Sequence, residues 1–247
     1  MRNIKLVLEY DGTSYGGWQR QKNIVTIQQR VEESIYAITG QHIQVIGCSR
    51  TDAGVHARQF VCNFHTESNI VDYKMRDALN SKLPYDVRII LSEEVEDKFH
   101  ARYDSTGKTY SYTILNRDVA AALQRNYVYH VKQPLNIEAM SDAARYLIGI
   151  HDFVAFRNLG SSVKTTVRTI SQLDVIREEE YVRIYGTADG FLYNMMRIIT
   201  GTLIDVGIGK RKPEDIGEIL DAKDRTKAGK SAPPQGLCLE KVYYEKL

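Results

Sequence analysis

Short runs in which apolar and polar residues alternate constrain this chain more than any other feature. The first run, Ile4 to Tyr10, ends where a polar, glycine-bearing loop begins. Alternation over this length is typical of a half-buried strand. A helix is predicted next, because Thr26 can cap its amino terminus, apolar residues recur at helical spacing, and Gly40 can end it. The first part of the fold is therefore a strand, a loop and a helix.

Similar elements follow along the rest of the chain. The predicted strands are 43–48, 59–64, 108–115, 167–177, 181–188 and 237–244, and the predicted helices are 72–81, 136–148 and 191–206. Residues 207–236, rich in Lys, Gly and Pro, are interpreted as a surface excursion. The order strand, helix, strand occurs in both halves, which we place at 1–105 and 106–247. We expect an α+β fold with a mainly antiparallel sheet, flanking helices and two similar halves fused into one unit.

Composition narrows the class of protein. Hydrophobic residues make up 43% and charged residues 26%, which is ordinary for a globular chain and unlike a disordered or fibrous one. No stretch approaches the ~20 apolar residues of a membrane helix. The cysteines, Cys48, Cys62 and Cys238, are odd in number and have no metal-ligand spacing. A reducing, cytoplasmic location without membrane association is therefore expected.

Net charge gives weak support for a nucleic-acid partner, since it is only +2 with an isoelectric point near 8.3. The densest basic run is Lys223 to Lys230, which contains a single acid, Asp224. It is either a solvated loop or a phosphate-contacting one. Further candidates for contacts to a phosphate backbone are Arg20, Lys22, Lys74 and Arg76.

The segment from Arg50 to Arg58 is the most informative for chemistry. It places Asp52 between two arginines, in a predicted loop over 49–58 that joins two strands. Catalytic groups are often found on loops held by rigid elements. Nearby positive charge would keep the Asp52 carboxylate ionised and able to act as a nucleophile. From the residues alone, a capping or salt-bridging role for this aspartate competes with catalysis.

The same segment resembles the RTDxGVHA motif of the tRNA pseudouridine synthase A family, in which the aspartate is the essential nucleophile. Ser49 stands where the family usually has glycine, and a serine would be strained there if the position required a positive φ. The other segments that resemble family motifs, in the expected order, are Leu8–Thr13 with Tyr15–Gln19, Phe99–Arg102 with Lys108–Tyr112, Phe191–Arg197, and Ala232–Leu237.

The resemblance implies an activity, a substrate and a fold. It implies isomerisation of uridine to pseudouridine in the anticodon stem-loop of tRNA, at positions 38, 39 and 40. It also implies the pseudouridine synthase fold with a central cleft, and a homodimer that shares one tRNA. Because the reaction neither adds nor removes an atom, no cofactor and no metal are expected.

The resemblance also assigns residues. Asp52 is expected to attack either C1′ of the sugar or C6 of the base. Tyr110 corresponds to the tyrosine that stacks on the target base and accepts a proton, although a tyrosine in a strand can simply pack. Arg197 corresponds to the basic partner of the nucleophile, although a helical arginine can also extend to solvent. Arg58 is expected to hold the extruded base, or else to contact a phosphate or an acid, and Arg50 is a substrate-binding candidate.

His56 lies in the same segment, and two functions other than isomerisation are alternatives. The proposed chemistry does not need His56, which is expected to be a structural hydrogen-bonding residue. A non-catalytic RNA-binding paralogue is one alternative, against which the presence of Asp52, Tyr110 and Arg197 argues. A nucleoside hydrolase is another, and it would release free uracil and usually carry a metal-binding acidic cluster.

Overall fold

The computed structural model describes residues 1–158, 160 and 163–245. These residues form a mixed α+β protein with five α-helices and mainly antiparallel strand pairs, which confirms the predicted fold class. The chain divides into two compact units. The first unit is Met1–Thr106 together with the chain from Cys238 onward, and the second is Gly107–Leu237. Among all the residues that the structure describes, no helix is long and apolar enough to cross a membrane.

The elements are as follows. The strands are β1 (Arg2–Tyr10), β2 (Ile46–Gly47), β3 (His56–Thr66), β4 (Val87–Val95), β5 (Gly107–Leu115), β6 (Tyr129–His130), β7 (Gly149–Asp152), β8 (Val167–Glu178), β9 (Tyr181–Ala188) and β10 (Leu237–Tyr243). The helices are α1 (Ile27–Thr39), α2 (Asp72–Asn80), α3 (Ile137–Arg145), α4 (Met195–Gly207) and α5 (Asp215–Ala222).

The sheet of the first unit has the strand order β4-β1-β3-β10, with β2 paired to β3. Strand β1 is antiparallel to both of its neighbours, and Leu6 and Leu8 on it are fully buried. Strand β10 runs parallel to β3, with Cys238 opposite His56. Residues 106–247 were predicted as one half, but the structure assigns the chain from Cys238 onward to the first unit, because of this pairing with β3.

Helix α1 has the capping that the sequence indicates. The hydroxyl of Thr26 accepts a hydrogen bond from the Gln29 amide at 3.4 Å, and Gly40 ends the helix in the left-handed conformation. Ile27, Val31 and the residues at helical spacing after them are buried on one face. The predicted helix is therefore confirmed, and it covers one side of the first unit's core.

The sheet of the second unit has the strand order β5-β9-β8-β7, with all three pairs antiparallel, and β6 runs parallel to β5. Helices α3 and α4 pack together, and α3 also packs on β8. Large side chains fill this core, among them the fully buried rings of Tyr112, Phe153 and Phe156.

Several predicted boundaries differ from the structure. The strand predicted over 43–48 shrinks to Ile46–Gly47, and β3 begins at His56 instead of 59, so Arg58 lies in a strand and not in a loop. The helix predicted over 191–206 starts only at Met195, because Asn194 before it is left-handed with φ 62°. Residues 207–236, interpreted as a surface excursion, contain helix α5. Strands β4 and β7 were not anticipated, because β4 pairs with β1 far away in sequence and β7 has only four residues.

Candidate active site

Asp52 lies on a short loop between β2 and β3, which we call the Asp52 loop (residues 48–55). The loop is turned tightly, since the amide of Val55 donates to the Asp52 carbonyl at 3.2 Å and Gly54 has φ 78°. Asp52 itself is half-buried. Ser49 is not among the non-glycine residues with a positive φ, so the strain considered for it is absent.

The segment before α1 holds the Asp52 loop in place. We call residues 11–18 the opening loop. The amide of Trp18 donates to the Thr51 carbonyl at 3.2 Å, and the amide of Gly54 donates to the Tyr15 carbonyl at 3.4 Å. The two loops therefore determine each other's conformation through their backbones.

The two arginines of the motif lie at the surface of the first unit. Arg58 is 71% exposed in its side chain, and its Nε lies 3.2 Å from a carboxylate oxygen of Glu240 on β10. Arg50 is exposed and enters no ion pair with another residue in the described ranges. The expectation that this pair of arginines keeps Asp52 ionised is thus not supported by a direct ion pair from either of them.

His56 has a structural environment, in agreement with its predicted role. It is only 6% exposed, and its Nδ1 accepts a hydrogen bond from the Gly12 amide at 3.1 Å. An Asp11 carboxylate oxygen lies 3.2 Å from the same nitrogen. His56 thus contacts the opening loop through both Gly12 and Asp11.

Tyr110 lies on β5 in the second unit, opposite Gly186 of β9. It is 6% exposed. Its ring meets Phe191 edge to face, with the ring centroids 5.0 Å apart. An aromatic ring held in this way on a strand has a fixed plane, which a stacking role requires.

Arg197 lies in the first turn of α4 and does not extend freely to solvent. Its Nε donates to the Ala232 carbonyl at 2.7 Å, and one terminal nitrogen donates to the side-chain oxygen of Asn194 at 2.8 Å. The Ala232 amide in turn donates to the Arg197 carbonyl at 3.0 Å. The half-buried guanidinium therefore has a fixed orientation.

Tyr112, two residues after Tyr110, links β5 to the closing motif of the chain. Its hydroxyl donates to the Pro233 carbonyl at 2.6 Å, and its ring lies close against Gly236. Burial raises the pKa of Tyr112 well above its ordinary value, whereas the charge of Arg197 acts in the opposite direction. Tyr112 is thus a protonated, structural donor, and it holds the segment that also binds Arg197.

Part of the basic run has structural partners. The Lys223 ammonium lies 2.9 Å from a carboxylate oxygen of Asp152. Arg225 donates to the Asn158 side chain at 3.2 Å and to the Gly229 carbonyl at 3.0 Å, and burial lowers its pKa. Two of the four cations are therefore engaged in contacts within the second unit.

Sequence reasoning missed two supporting residues, one in each unit. In the first unit, it gave no role to Tyr10, whose hydroxyl lies 2.8 Å from that of Thr51. In the second unit, it gave none to Asn194, which binds Arg197. Both lie within segments that resemble family motifs, which was the available signal, but a hydrogen bond to a distant residue cannot be read from spacing.

Comparisons with known proteins agree with these motifs. A family model described as tRNA pseudouridine synthase matches residues 6–104 and 143–245. The chain is 58% identical to tRNA pseudouridine synthase A 2 of Clostridium perfringens, over 99% of this chain and 100% of the relative. It is 54% identical to tRNA pseudouridine synthase A of Clostridium acetobutylicum, with the same coverage.

The structural match to a chain of a Cbf5-Nop10-Gar1 complex covers 96% of this chain and 48% of the other, at 13% identity and with a TM-score of only 0.37. The family match and the two relatives extend over both units and over the Asp52 loop. The chain belongs to the tRNA pseudouridine synthase family.

Proposed function

We propose that this protein is an isomerase that converts uridine to pseudouridine in tRNA, with Asp52 as its nucleophile. The observation that carries the proposal is the family match across the chain, which includes Asp52 on a tightly turned, half-buried loop. The backbone contacts of this loop support the proposal, because a nucleophile needs a fixed position.

The chemistry breaks the N1–C1′ bond of the uridine, rotates the uracil and forms a C5–C1′ bond. The proton on C5 is lost to a base, and a proton is restored at N1, so the atoms balance without a co-substrate. Asp52 attacks either C1′ or C6, and in both cases its carboxylate must be ionised. A target base in a stem or loop leaves its stack first, at a cost of roughly a few kcal/mol.

Tyr110 is proposed to stack on the target base and to accept the C5 proton. Its ring is fixed by the edge-to-face contact with Phe191, which supports a stacking role. Replacement by phenylalanine keeps the stacking face and removes the proton acceptor. We therefore expect Tyr110→Phe to bind tRNA normally and to be slow in the proton-transfer step, as measured by single-turnover tritium release.

Arg197 is proposed to supply positive charge that stabilises anionic groups in the reaction. The hydrogen bonds to Ala232 and Asn194 support this role, because they orient the guanidinium before substrate binds. A lysine at this position would keep the charge but lose the planar set of donors. Arg197→Lys is therefore expected to lower kcat strongly while leaving tRNA binding largely intact.

Arg58 is proposed to hold the extruded geometry of the target nucleotide, and Arg50 to bind substrate. Both are exposed, and an exposed ion pair such as Arg58–Glu240 is worth only about 0–1 kcal/mol, so it can be exchanged for a contact to RNA. Arg58→Ala should lose turnover, whereas Glu240→Gln should not. An Arg58→Ala enzyme with wild-type turnover would rule out the flipping role.

The substrate is proposed to be the anticodon stem-loop at uridines 38, 39 and 40, bound by a homodimer. The relatives are named tRNA pseudouridine synthases, which supports tRNA as the substrate class. Transcripts that carry a single uridine at one of these positions test the assignment, and sedimentation with and without tRNA tests the dimer. The odd number of cysteines, three, is compatible with the proposed cytoplasmic location.

Exposed cations are proposed to contact the tRNA backbone. Lys227 and Lys230 are exposed and enter no salt bridge within the described residues, unlike Lys223. Binding through such groups releases counterions, so affinity should fall steeply as salt is raised. A flat salt response would contradict this part of the proposal.

The decisive experiment uses tRNA transcript with tritium at uridine C5, incubated with purified protein without added metal or nucleotide. Wild type should release tritium, and Asp52→Asn, which keeps the shape of the side chain, should release none. Binding without release by either protein would favour the RNA-binding paralogue. Free uracil as product would favour a nucleoside hydrolase. Such an enzyme usually carries an acidic metal-binding cluster, and the described residues include no group of three His, Cys, Asp or Glu suited to a metal.

A further inference from the structure

We propose that Tyr10 and Thr51 form a hydroxyl pair that positions Asp52 for attack. This inference rests on the proposed function, since it concerns the placement of the nucleophile. Tyr10 is the last residue of β1, and Thr51 directly precedes Asp52. Their hydroxyl oxygens lie 2.8 Å apart, within hydrogen-bonding distance.

The pair is buried. Tyr10 is 4% exposed and Thr51 is 7% exposed. The ring of Tyr10 also rests against Phe60, with centroids 5.7 Å apart. A buried hydroxyl that loses its partner carries a desolvation cost, so the loop cannot move away from Tyr10 without penalty. The hydrogen bond therefore restrains the backbone immediately next to the nucleophile.

Backbone contacts fix the same stretch from its other sides. The Trp18 amide holds the Thr51 carbonyl, and the Tyr15 carbonyl holds the Gly54 amide. A Cβ on Gly12 would overlap the Val55 carbonyl oxygen. These contacts limit translation of the loop. The Tyr10 hydroxyl adds a contact to the side chain of Thr51, which directly precedes Asp52.

The opening loop that makes these contacts is itself anchored. The Tyr15 hydroxyl donates to an Asp86 carboxylate oxygen at 2.6 Å, and the Asp11 amide donates to the Asp86 carbonyl at 2.9 Å. Burial and the Asp86 carboxylate both raise the pKa of Tyr15, so Tyr15 stays a donor. Trp18 stacks on Phe60 with ring centroids 4.0 Å apart. Tyr10 and the opening loop thus form a rigid surface against which the Asp52 loop is placed.

The expected consequence is kinetic. A displacement of ~1 Å in a reacting group can reduce a rate by about 10²-fold, even when the group itself is intact. Removing one hydroxyl should displace Asp52 by less, so Tyr10→Phe and Thr51→Val should each lower kcat by about tenfold, with KM for tRNA unchanged. Because both changes break the same bond, the double variant should be no slower than either single one.

The experiment compares Tyr10→Phe, Thr51→Val, their combination and Thr51→Ser, which restores a hydroxyl. Tyr244→Phe is the matched control, because it removes a part-buried tyrosine hydroxyl that donates to the Ala101 carbonyl at 2.8 Å and not to a residue of the Asp52 loop. Each variant is assayed for single-turnover tritium release, for tRNA affinity, and for amide hydrogen exchange in a peptide covering residues 50–58.

The expected result is slower turnover and faster exchange in this peptide for Tyr10→Phe and Thr51→Val, with both restored in Thr51→Ser and neither changed in Tyr244→Phe. Wild-type kcat in Tyr10→Phe, unchanged exchange in the peptide, or additive losses in the double variant would each overturn the inference. If wild type releases no tritium, the proposed function fails, and the exchange measurement still decides whether the hydroxyl pair holds the loop.

Discussion

The Asp52 loop and the surroundings of Arg197 reach a fixed geometry by different means. The Asp52 loop has little regular structure, and backbone groups of the opening loop hold it from Trp18 and Tyr15. Arg197 is on a regular helix, and its guanidinium is held from the side by the Asn194 side chain and the Ala232 carbonyl. The first region thus depends on backbones lying close together, whereas the second depends on particular side-chain donors and acceptors.

This difference determines which kinds of change each region tolerates. Where backbones lie in close contact, adding a single carbon atom should lower stability and displace the loop, because the neighbouring backbone atoms cannot move aside. Where a side chain is held by hydrogen bonds, removing a hydrogen-bond partner should lower activity, because the side chain loses its orientation. Variants that add an atom beside the Asp52 loop should therefore have larger effects than variants that remove a hydrogen-bonding group from either region.

The largest effect is expected for Gly17→Ala. Gly17 has φ 90°, and a Cβ there would overlap the Thr51 carbonyl oxygen. Overpacking and left-handed strain together should cost about 3 kcal/mol of unfolding free energy. The displaced loop should lower kcat by about 10²-fold. Urea unfolding and tritium release measure the two effects.

Gly40→Ala is the matched control for Gly17→Ala. Gly40 has φ 72°, but a Cβ there would meet no atom within 4 Å. The left-handed conformation should lower the unfolding free energy of this variant by only about 1 kcal/mol, and its turnover should stay at the wild-type value. Equal losses in the two variants would show that strain, and not the close approach to Thr51, sets the effect.

A smaller effect is expected for Asn194→Gly, which removes a partner of Arg197. Asn194 is left-handed, a conformation that glycine adopts easily, so the change should cost little stability. Loss of the hydrogen bond to Arg197 should lower kcat by about tenfold. Glu179→Gly, at another left-handed position in an exposed turn, should leave kcat unchanged. Wild-type kcat in Asn194→Gly would mean that the hydrogen bond from Asn194 is not needed to orient the guanidinium.

Tyr112→Phe should have an effect on stability. The variant leaves the Pro233 carbonyl without its donor, at a cost of about 1 kcal/mol. For a chain of this length, the melting temperature should fall by about 2–4 °C. A large loss of kcat at constant stability would instead assign Tyr112 a direct role in the reaction.

The smallest effect is expected for the exposed lysines. Replacing Lys227 and Lys230 by alanine should make the plot of log Kd against log salt shallower by about 1 per lysine that contacts a phosphate. Lys223→Ala should change the slope less, because Lys223 already pairs with Asp152. Identical slopes for both variants and wild type would place the tRNA backbone elsewhere.

Sequence patterns predicted most long elements and few of the irregular ones. Helix α1 and strands β8 and β9 follow from caps and alternation, and the structure has them at nearly the predicted residues. The start of α4 was missed by four residues, because the left-handed Asn194 does not alter the apolar pattern. Strand β10 was predicted, but its parallel pairing with β3 joins residues far apart in sequence and has no local signal.

The sequence by itself determined the fold class, the motif around Asp52 and, through that motif, the family. These depend on periodicity and on residue identity, both of which are local. Only the tertiary structure decided that Arg58 pairs with Glu240, that Asn194 orients Arg197, and that Tyr10 reaches Thr51. Such contacts depend on which side chains the packed core brings within ~3 Å of each other, and short-range hydrogen bonds at that distance leave no periodic trace in the sequence.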